Sequence, residues 1–168
     1  QKILVLMKNL KWYLILINLV ALLIYFNYSV LKKEDLLDSG ELILFRLAPV
    51  DPRSLMPGDY MTLRYDFSDN IDKSKIQKRG YCVLQVDGNN VAKAIRLQPK
   101  STPLHPREKI IKYNSPNEWT TNIGAESYFF EEGKAEKYEN AVYGGIVIDT
   151  EGNSLLIGLY DDKRQKID

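Results

Sequence analysis

Charged residues in and beyond a turn-rich stretch of the sequence could build one binding site: Asp51, Arg53, Asp59, Arg64 and Arg96. Opposite charges that share a site form charge-assisted hydrogen bonds, and such a network can orient a carboxylate or a peptide backbone. The alternative is a set of surface ion pairs that only hold the turns together. We place the interaction surface of the protein here and add Tyr60, which directly follows Asp59, as its sixth member.

Ser54 lies in the same stretch and is the candidate nucleophile. Its segment, Ser-Leu-Met-Pro after an apolar N-terminal run, resembles the Ser-Met-x-Pro box of type I signal peptidases. The resemblance implies a serine nucleophile and a lysine base, and such a lysine needs a pKa lowered by burial. Lys93, on a predicted strand face that suggests burial, is the first choice for the base, and Lys78 is the second. Leu55 replaces the methionine of those enzymes and their glycine-aspartate-asparagine box is missing, so a turn between prolines is the structural alternative.

Three carboxylates, Glu126, Glu131 and Glu132, surround the aromatic run 128–130. Two carboxylates can act as acid and base when their environments separate their pKa values. The spacing of these glutamates does not show whether two of them lie close enough to act as an acid–base pair. We therefore interpret the three carboxylates as solvated ends of an aromatic strand. The aromatic run is expected in the core or at an edge that contacts a partner, because a stacking platform for nucleic acid needs basic residues around it.

The composition excludes several classes of protein. The chain has 23 basic and 22 acidic residues, and a net charge of +1 gives no support for nucleic-acid binding. A single cysteine, Cys82, excludes an intrachain disulfide and a multi-cysteine zinc site, and we expect it to be a small buried apolar residue. His105 is the one histidine, which excludes a histidine-rich metal site. We expect no metal and no cofactor.

An uncharged segment of twenty residues, Trp12 to Leu31, is long enough to cross a membrane. At about 1.5 Å per helical residue it covers the roughly 30 Å hydrocarbon core. Aromatic residues near both ends suit the two interfaces, and the three lysines before it favour a cytoplasmic N-terminus. We expect residues 1–35 to form an N-terminal tail, transmembrane anchor and linker, and residues 36–168 an extracytoplasmic β domain, periplasmic or extracellular. A cleaved signal peptide and a buried core helix are the alternatives.

Beyond residue 40 the sequence has the short alternating runs and the turns of an antiparallel β protein. From Asp59 onward, Met61, Leu63 and Tyr65 fall on one strand face, which predicts a half-buried strand. Turn residues at 87–90 and 150–153 predict two hairpins. Residues 133–140 could form a short helix. The pattern predicts a mainly β fold, a small antiparallel barrel or sandwich of about seven strands with one short helix.

Two separated blocks of the sequence resemble the signatures of one family. The segment 58–65, GDYMTLRY, matches the pattern after which the GDYXXLXY proteins are named, and the block 124–133 resembles their second signature. The resemblance covers nearly the whole chain. It implies a membrane-anchored protein with a polytopic membrane protein as its partner, and it implies no substrate.

These observations lead to one expected function and two alternatives. We expect a membrane-anchored accessory or scaffold domain that binds a polytopic membrane protein and is not an enzyme. The first alternative is a signal-peptidase-like hydrolase that uses Ser54 and Lys93, which requires a lysine nitrogen within about 3.2 Å of the serine. The second is an envelope ligand-binding module that uses Asp59, Arg64 and Arg96.

Overall fold

The computed structural model describes residues 2–48, 60–66, 77–117, 120–131 and 133–167. It divides into two units, Gln1–Asp38 and Ser39–Asp168. The first unit consists of the N-terminal helix, and the second contains the strands. The two units are described separately below.

Helix α1 (Lys2–Ser39) is long and apolar. Its segment Leu10–Ser39 has a hydropathy of 2.2 in its most apolar window, and none of that window is buried. The helix continues through the charged residues after Leu31 and ends before Gly40. By length and composition α1 meets the requirement for a membrane span, and a signal sequence meets the same requirement.

The second unit is mainly β. In chain order its elements are β1 (Glu41–Arg46), β2 (Tyr60–Thr62), β3 (Arg79–Val86), β4 (Val91–Gln98), β5 (Glu108–Asn117), β6 (Thr120–Asn122), β7 (Ser127–Phe129), α2 (Ala135–Tyr138), β8 (Tyr143–Ile148) and β9 (Ser154–Tyr160). The described strands form a seven-stranded sheet in the order β6-β5-β3-β4-β1-β8-β9 and a two-stranded sheet of β2 and β7. The larger sheet curls strongly into a half-barrel.

The predicted fold class is confirmed, with one difference in strand direction. A mainly β domain with a short helix follows an N-terminal apolar helix. The sheet is mixed, however, because β1 runs parallel to β4 and antiparallel to β8. A parallel pair needs a long crossover connection, and here the chain between β1 and β4 supplies it.

Both predicted hairpins are present, and an aspartate closes each of them. In the β3–β4 turn, the side-chain oxygen Oδ1 of Asp87 accepts hydrogen bonds from the backbone N–H groups of Asn89 and Val91, at 2.8 and 2.9 Å. In the β8–β9 turn, Asp149 accepts from the backbone of Glu151 and Asn153, at 2.9 and 2.8 Å. Aspartate favours such turns because its short carboxylate reaches the backbone two residues ahead.

The curl of the sheet brings the β8–β9 turn against β5, although β5 and β9 lie near opposite ends of the strand order. The backbone N–H of Lys112 donates to the carbonyl oxygen of Gly152 at 2.8 Å, and the Lys112 ammonium donates to Asn153 at 2.7 Å. Next to this contact, the Ser154 hydroxyl donates to the Ile123 carbonyl at 2.6 Å. These bonds fasten the two halves of the half-barrel to each other.

Residues of both sheets lie in the core cluster or pack against it, and the cluster includes Cys82 on β3, which has no exposed surface. The prediction that this cysteine is a buried apolar residue is confirmed. Burial raises the pKa of its thiol to about 12, because a thiolate loses its hydration in the apolar interior.

We expect Cys82 to make the stability of the protein fall at alkaline pH. In the unfolded chain a cysteine thiol ionises at about pH 8.5. Since the folded-state pKa is raised, the stabilisation is complete below that value and is lost as the pH rises toward 12. The free energy of unfolding should therefore decrease by about 1.4 kcal/mol per pH unit in this window.

Urea unfolding of the detergent-solubilised protein, followed by the circular dichroism of its strands, measures this slope between about pH 9 and pH 10. The Cys82→Ala variant should show a flatter decline over the same window, whatever its absolute stability. Equal slopes in the two proteins would contradict the prediction.

Candidate functional site

Several residues of the predicted interaction surface and active site lie outside the described residues: Asp51, Arg53, Ser54 and Asp59. The charge network and the nucleophile therefore stay predictions. Of the remaining members, Tyr60 opens β2, and Arg64 follows that strand with an exposed side chain. The backbone of Arg64 is fixed, because its carbonyl oxygen accepts a hydrogen bond from the N–H of Ala48 at 2.8 Å.

The strand face of Lys93 points to solvent, not to the core. Lys93 is exposed, whereas its neighbours Ala92 and Ala94 are buried. The predicted burial of Lys93 was therefore wrong. The small alanines occupy the core face of β4, and the larger Val91 and Ile95 lie half-buried on the face of the lysine. Lys78, the second choice for a base, is exposed as well. Neither lysine has the burial that a neutral amine base requires.

Arg96 is engaged with a residue that the sequence analysis did not consider, Glu108. The guanidinium group donates two hydrogen bonds to the Glu108 carboxylate, at 2.6 and 2.8 Å, in the bidentate geometry of strong arginine pairs. It also donates to the Pro103 carbonyl at 3.3 Å, and the His105 backbone N–H donates to Glu108 at 2.8 Å. This pair closes the loop 99–107. The guanidinium group of Arg96 therefore binds a carboxylate and a carbonyl oxygen of its own chain, in and beside this loop.

The same bonds set the charge of both groups. The hydrogen bonds from Arg96, then that from the His105 backbone, lower the pKa of Glu108 to about 2. The carboxylate, chiefly through its hydrogen bond, raises the pKa of Arg96 in return. The pair stays ionised throughout the physiological range. The only sequence signal for it is a pair of opposite charges that flank a proline-rich loop.

We expect Glu108→Gln to open the loop 99–107 at neutral pH. A glutamine cannot supply the two acceptor oxygens that Arg96 and the loop backbone use. Limited trypsin digestion should cut the variant faster at Lys100, whereas Glu139→Gln, which changes an exposed carboxylate on another segment, should leave the rate unchanged.

Because the folded-state pKa of Glu108 is depressed, the wild-type loop should stay protected above about pH 4.3 and lose protection as the pH falls toward 2. In the acidic range, amide hydrogen exchange of residues 99–107 measures this protection. A loop that is equally protected in the wild type and in Glu108→Gln would contradict the expectation.

The two signature blocks of the sequence meet in space as the small sheet. β2 pairs antiparallel with β7, so that Tyr60 lies opposite Phe129 and Met61 opposite Tyr128. The contact continues past the strands, where the backbone N–H of Leu63 donates to the Glu126 carbonyl at 2.6 Å. Segments more than sixty residues apart therefore form one structural unit.

Tyr65, the last residue of the first block, locks this unit to the large sheet. Its hydroxyl donates to the carbonyl of Ala125 in the second block, at 2.5 Å, and its ring packs edge-on against Phe45 of β1, with 5.4 Å between ring centroids. The ring also lies over Gly144 of β8, where a β carbon would be 3.0 Å from it. Burial, together with the negative charge of Glu126, raises the pKa of Tyr65 far above its ordinary value, so the hydroxyl stays a donor.

A groove of about 430 Å³ opens beside β7 and α2. Its lining residues are Phe129, Phe130, Glu131, Lys134 and Tyr138. Tyr138 of α2 holds the groove in shape, because its ring contacts those of Tyr128 and Phe130, with centroids 5.1 and 5.5 Å apart. Phe129 is 71% exposed, in contrast to its neighbours in the sequence. We call the two strands β2 and β7 with this groove the β2–β7 surface.

With both signatures in one unit, a comparison with known families identifies the chain. The family described as GDYXXLXY protein matches residues 22–159, from the middle of α1 to the end of β9. The chain belongs to the GDYXXLXY family. Searches of curated proteins and of solved structures give no significant match. For this GDYXXLXY protein, the structure gives the signature residues a physical role, because Leu63 and Tyr65 are core residues that join the two sheets.

The acidic residues near the second signature have structural roles in the GDYXXLXY protein. The carboxylate of Glu126 accepts hydrogen bonds from the backbone N–H groups of Ile123 and Gly124, the latter at 3.1 Å, and so closes the turn before β7. Glu131 forms an ion pair with Lys134 at the rim of the groove. Glu132 lies outside the described residues. The positions of Glu126 and Glu131 fit the structural interpretation better than an acid–base pair.

Proposed function

We propose that the protein is a membrane-anchored accessory or scaffold domain that binds a polytopic membrane protein. In this proposal α1 spans the membrane with its N-terminus in the cytoplasm, and the β domain lies outside. The domain contacts its partner through the β2–β7 surface and performs no chemical reaction.

The surface of α1 supports the anchor. Its apolar side chains from Leu10 to Leu31 are exposed, and an exposed apolar helix of this length loses its contact with water when it enters a bilayer. A backbone that is helical throughout also satisfies its own hydrogen bonds inside the hydrocarbon. The lysines before the segment and the aromatic residues near its ends favour the proposed direction.

The exposure of Phe129 is the observation that carries the partner proposal. Among the described residues of the β domain, the large apolar side chains that are exposed are Phe129, at 71%, and Leu104, at 39%. An aromatic side chain beside a groove is typical of the anchor residues that dominate protein interfaces. The Glu131–Lys134 pair supplies a polar rim around it, as such interfaces have.

Co-purification tests the proposal with the tagged, full-length protein. The protein is extracted from its native membrane in a mild detergent, and mass spectrometry identifies what remains bound in stoichiometric amount. We expect a polytopic membrane protein with the wild type and its loss with Phe129→Ser. Leu104→Ser is the matched control, since it removes the other exposed apolar side chain and should keep the partner.

Two results would overturn the proposal. The first is a protein that purifies alone although it is extracted with the membrane. The second is a partner that Phe129→Ser and Leu104→Ser retain equally. Protease added to cells stripped of any outer membrane and wall tests the direction separately, because a tag at the C-terminus should be removed and a tag at the N-terminus protected.

A further inference from the structure

The apolar helix contains two asparagines that differ in their hydrogen bonding. The side-chain amide of Asn27 donates to the Leu23 carbonyl oxygen, four residues earlier in the same helix, at 2.8 Å. Within the described part of the chain, the side-chain amide of Asn18 makes no hydrogen bond, and the residue is exposed. The two positions therefore pose different problems in a membrane.

Asn18 lies deep in the proposed span. It is three to four residues from the midpoint of the segment 12–31, which corresponds to about 5 Å along the helix axis. No water reaches that depth, so an amide without a partner is costly there. Asn27 avoids most of that cost through its own backbone, whereas the Asn18 amide bonds to no group of its own helix and is open to a partner from outside it.

We propose that α1 pairs with α1 of a second copy of this chain through Asn18. An amide carries both a donor and an acceptor, so two asparagines can satisfy each other. All copies of the chain insert in the same direction, and the two Asn18 side chains therefore lie at the same depth. A symmetric, parallel pair of helices places the two amides opposite each other.

Ala21 is placed to allow this contact. It follows Asn18 by three residues and so lies on the same side of the helix. A small residue beside a polar one lets two helix backbones approach closely, and the polar side chains then bond across the interface. This inference rests on the proposed function only in that α1 must span the membrane; it does not depend on the β2–β7 surface.

The experiment uses the full-length protein in phosphatidylcholine vesicles, labelled with donor or acceptor fluorophores, at a series of protein-to-lipid ratios. Energy transfer between chains gives the dissociation constant in the bilayer. Asn18→Leu should weaken association by about threefold to thirtyfold, the range found for interhelical hydrogen bonds of polar side chains. Asn27→Leu is the matched control, with the same change on the same helix, and should stay within about twofold of the wild type. Ala21→Leu should also weaken association.

The outcomes are distinguishable. Wild-type chains that stay monomeric at high protein-to-lipid ratio, or equal dissociation constants for Asn18→Leu and Asn27→Leu, would overturn the inference. Loss of the co-purified partner by Asn18→Leu without energy transfer between wild-type chains would also overturn it and assign Asn18 to that partner instead. Resistance to alkaline carbonate extraction reports separately whether α1 spans the bilayer, and failure there would point to the anchor proposal itself. Asn18→Leu makes the helix more apolar, so a loss of association cannot be attributed to failed insertion.

Discussion

Tyr65→Ala is expected to cost the protein about 3–5 kcal/mol of its free energy of unfolding, which is the range for removing a large aromatic side chain from a core. Such a loss is comparable to the whole stability of many domains, about 5–15 kcal/mol. Tyr65 joins three segments: its ring packs on Phe45 of β1 and lies over Gly144 of β8, and its hydroxyl donates to the Ala125 carbonyl oxygen. Without it the small sheet loses its attachment to the half-barrel, and both sheets should loosen together.

Tyr65→Phe separates the contribution of the hydroxyl to stability from that of the ring. It keeps the packing and leaves the Ala125 carbonyl oxygen without its donor, so we expect a loss of about 1–3 kcal/mol. Tyr143→Phe is the control, because Tyr143 is half-buried and its hydroxyl makes no hydrogen bond to any described residue, so its removal should change stability by less than about 0.5 kcal/mol. Urea unfolding of the three variants in one detergent measures these differences. Equal stability of Tyr65→Phe and Tyr143→Phe would show that the bond to Ala125 contributes nothing.

Gly152→Ala is expected to have the second largest effect, about 2–5 kcal/mol, for two separable reasons. Gly152 has φ +80°, a left-handed conformation that costs an alanine about 1–2 kcal/mol. Its β carbon would also lie 3.2 Å from the backbone nitrogen of Lys112 on β5, so the turn would have to move away from that strand. Crowding of this kind adds about 1–3 kcal/mol.

Gly133→Ala isolates the conformational part. Gly133 has φ +81°, and a β carbon there meets nothing within 4 Å. The difference between the two variants in urea unfolding therefore measures how tightly the β8–β9 turn is fastened to β5. Amide hydrogen exchange at Lys112 should also become faster in Gly152→Ala alone, since its N–H bonds to Gly152. Equal losses in both variants would mean that the contact with β5 does not stabilise the half-barrel.

Local chemistry made part of this fold predictable. The hairpins at Asp87 and Asp149 follow from side chains that bond to their own turns, and the burial of Leu63 and Tyr65 follows from strict alternation along one short segment. Such features depend on residues within a few positions of each other. The parallel pairing of β1 with β4 and the pairing of β2 with β7 do not, because each joins segments far apart in the chain.

The candidate site was less predictable, and Lys93 shows why. Alternation on β4 was visible, but it does not say which face is buried, and the larger Val91 and Ile95 favoured the wrong face. The core takes Ala92 and Ala94 instead, both buried. Likewise, the sequence of the aromatic run 128–130 was compatible with a place in the core and with a place at an exposed edge. In the structure β7 pairs with β2, and Phe129 lies at the surface.

The position of β1 has a consequence for the order in which the protein can assemble. β1 begins two residues after α1 ends, yet it lies between β4 and β8 in the finished sheet. During synthesis the strand is made early, and its second neighbour is made about a hundred residues later, so one of its edges waits unpaired until residues 143–148 have left the ribosome. Pairing at such sequence separation is slow, and an open edge can capture other strands meanwhile. The sheet can therefore close on both sides of β1 only after β8 has been made, and until then an edge of β1 is open to strands of other chains.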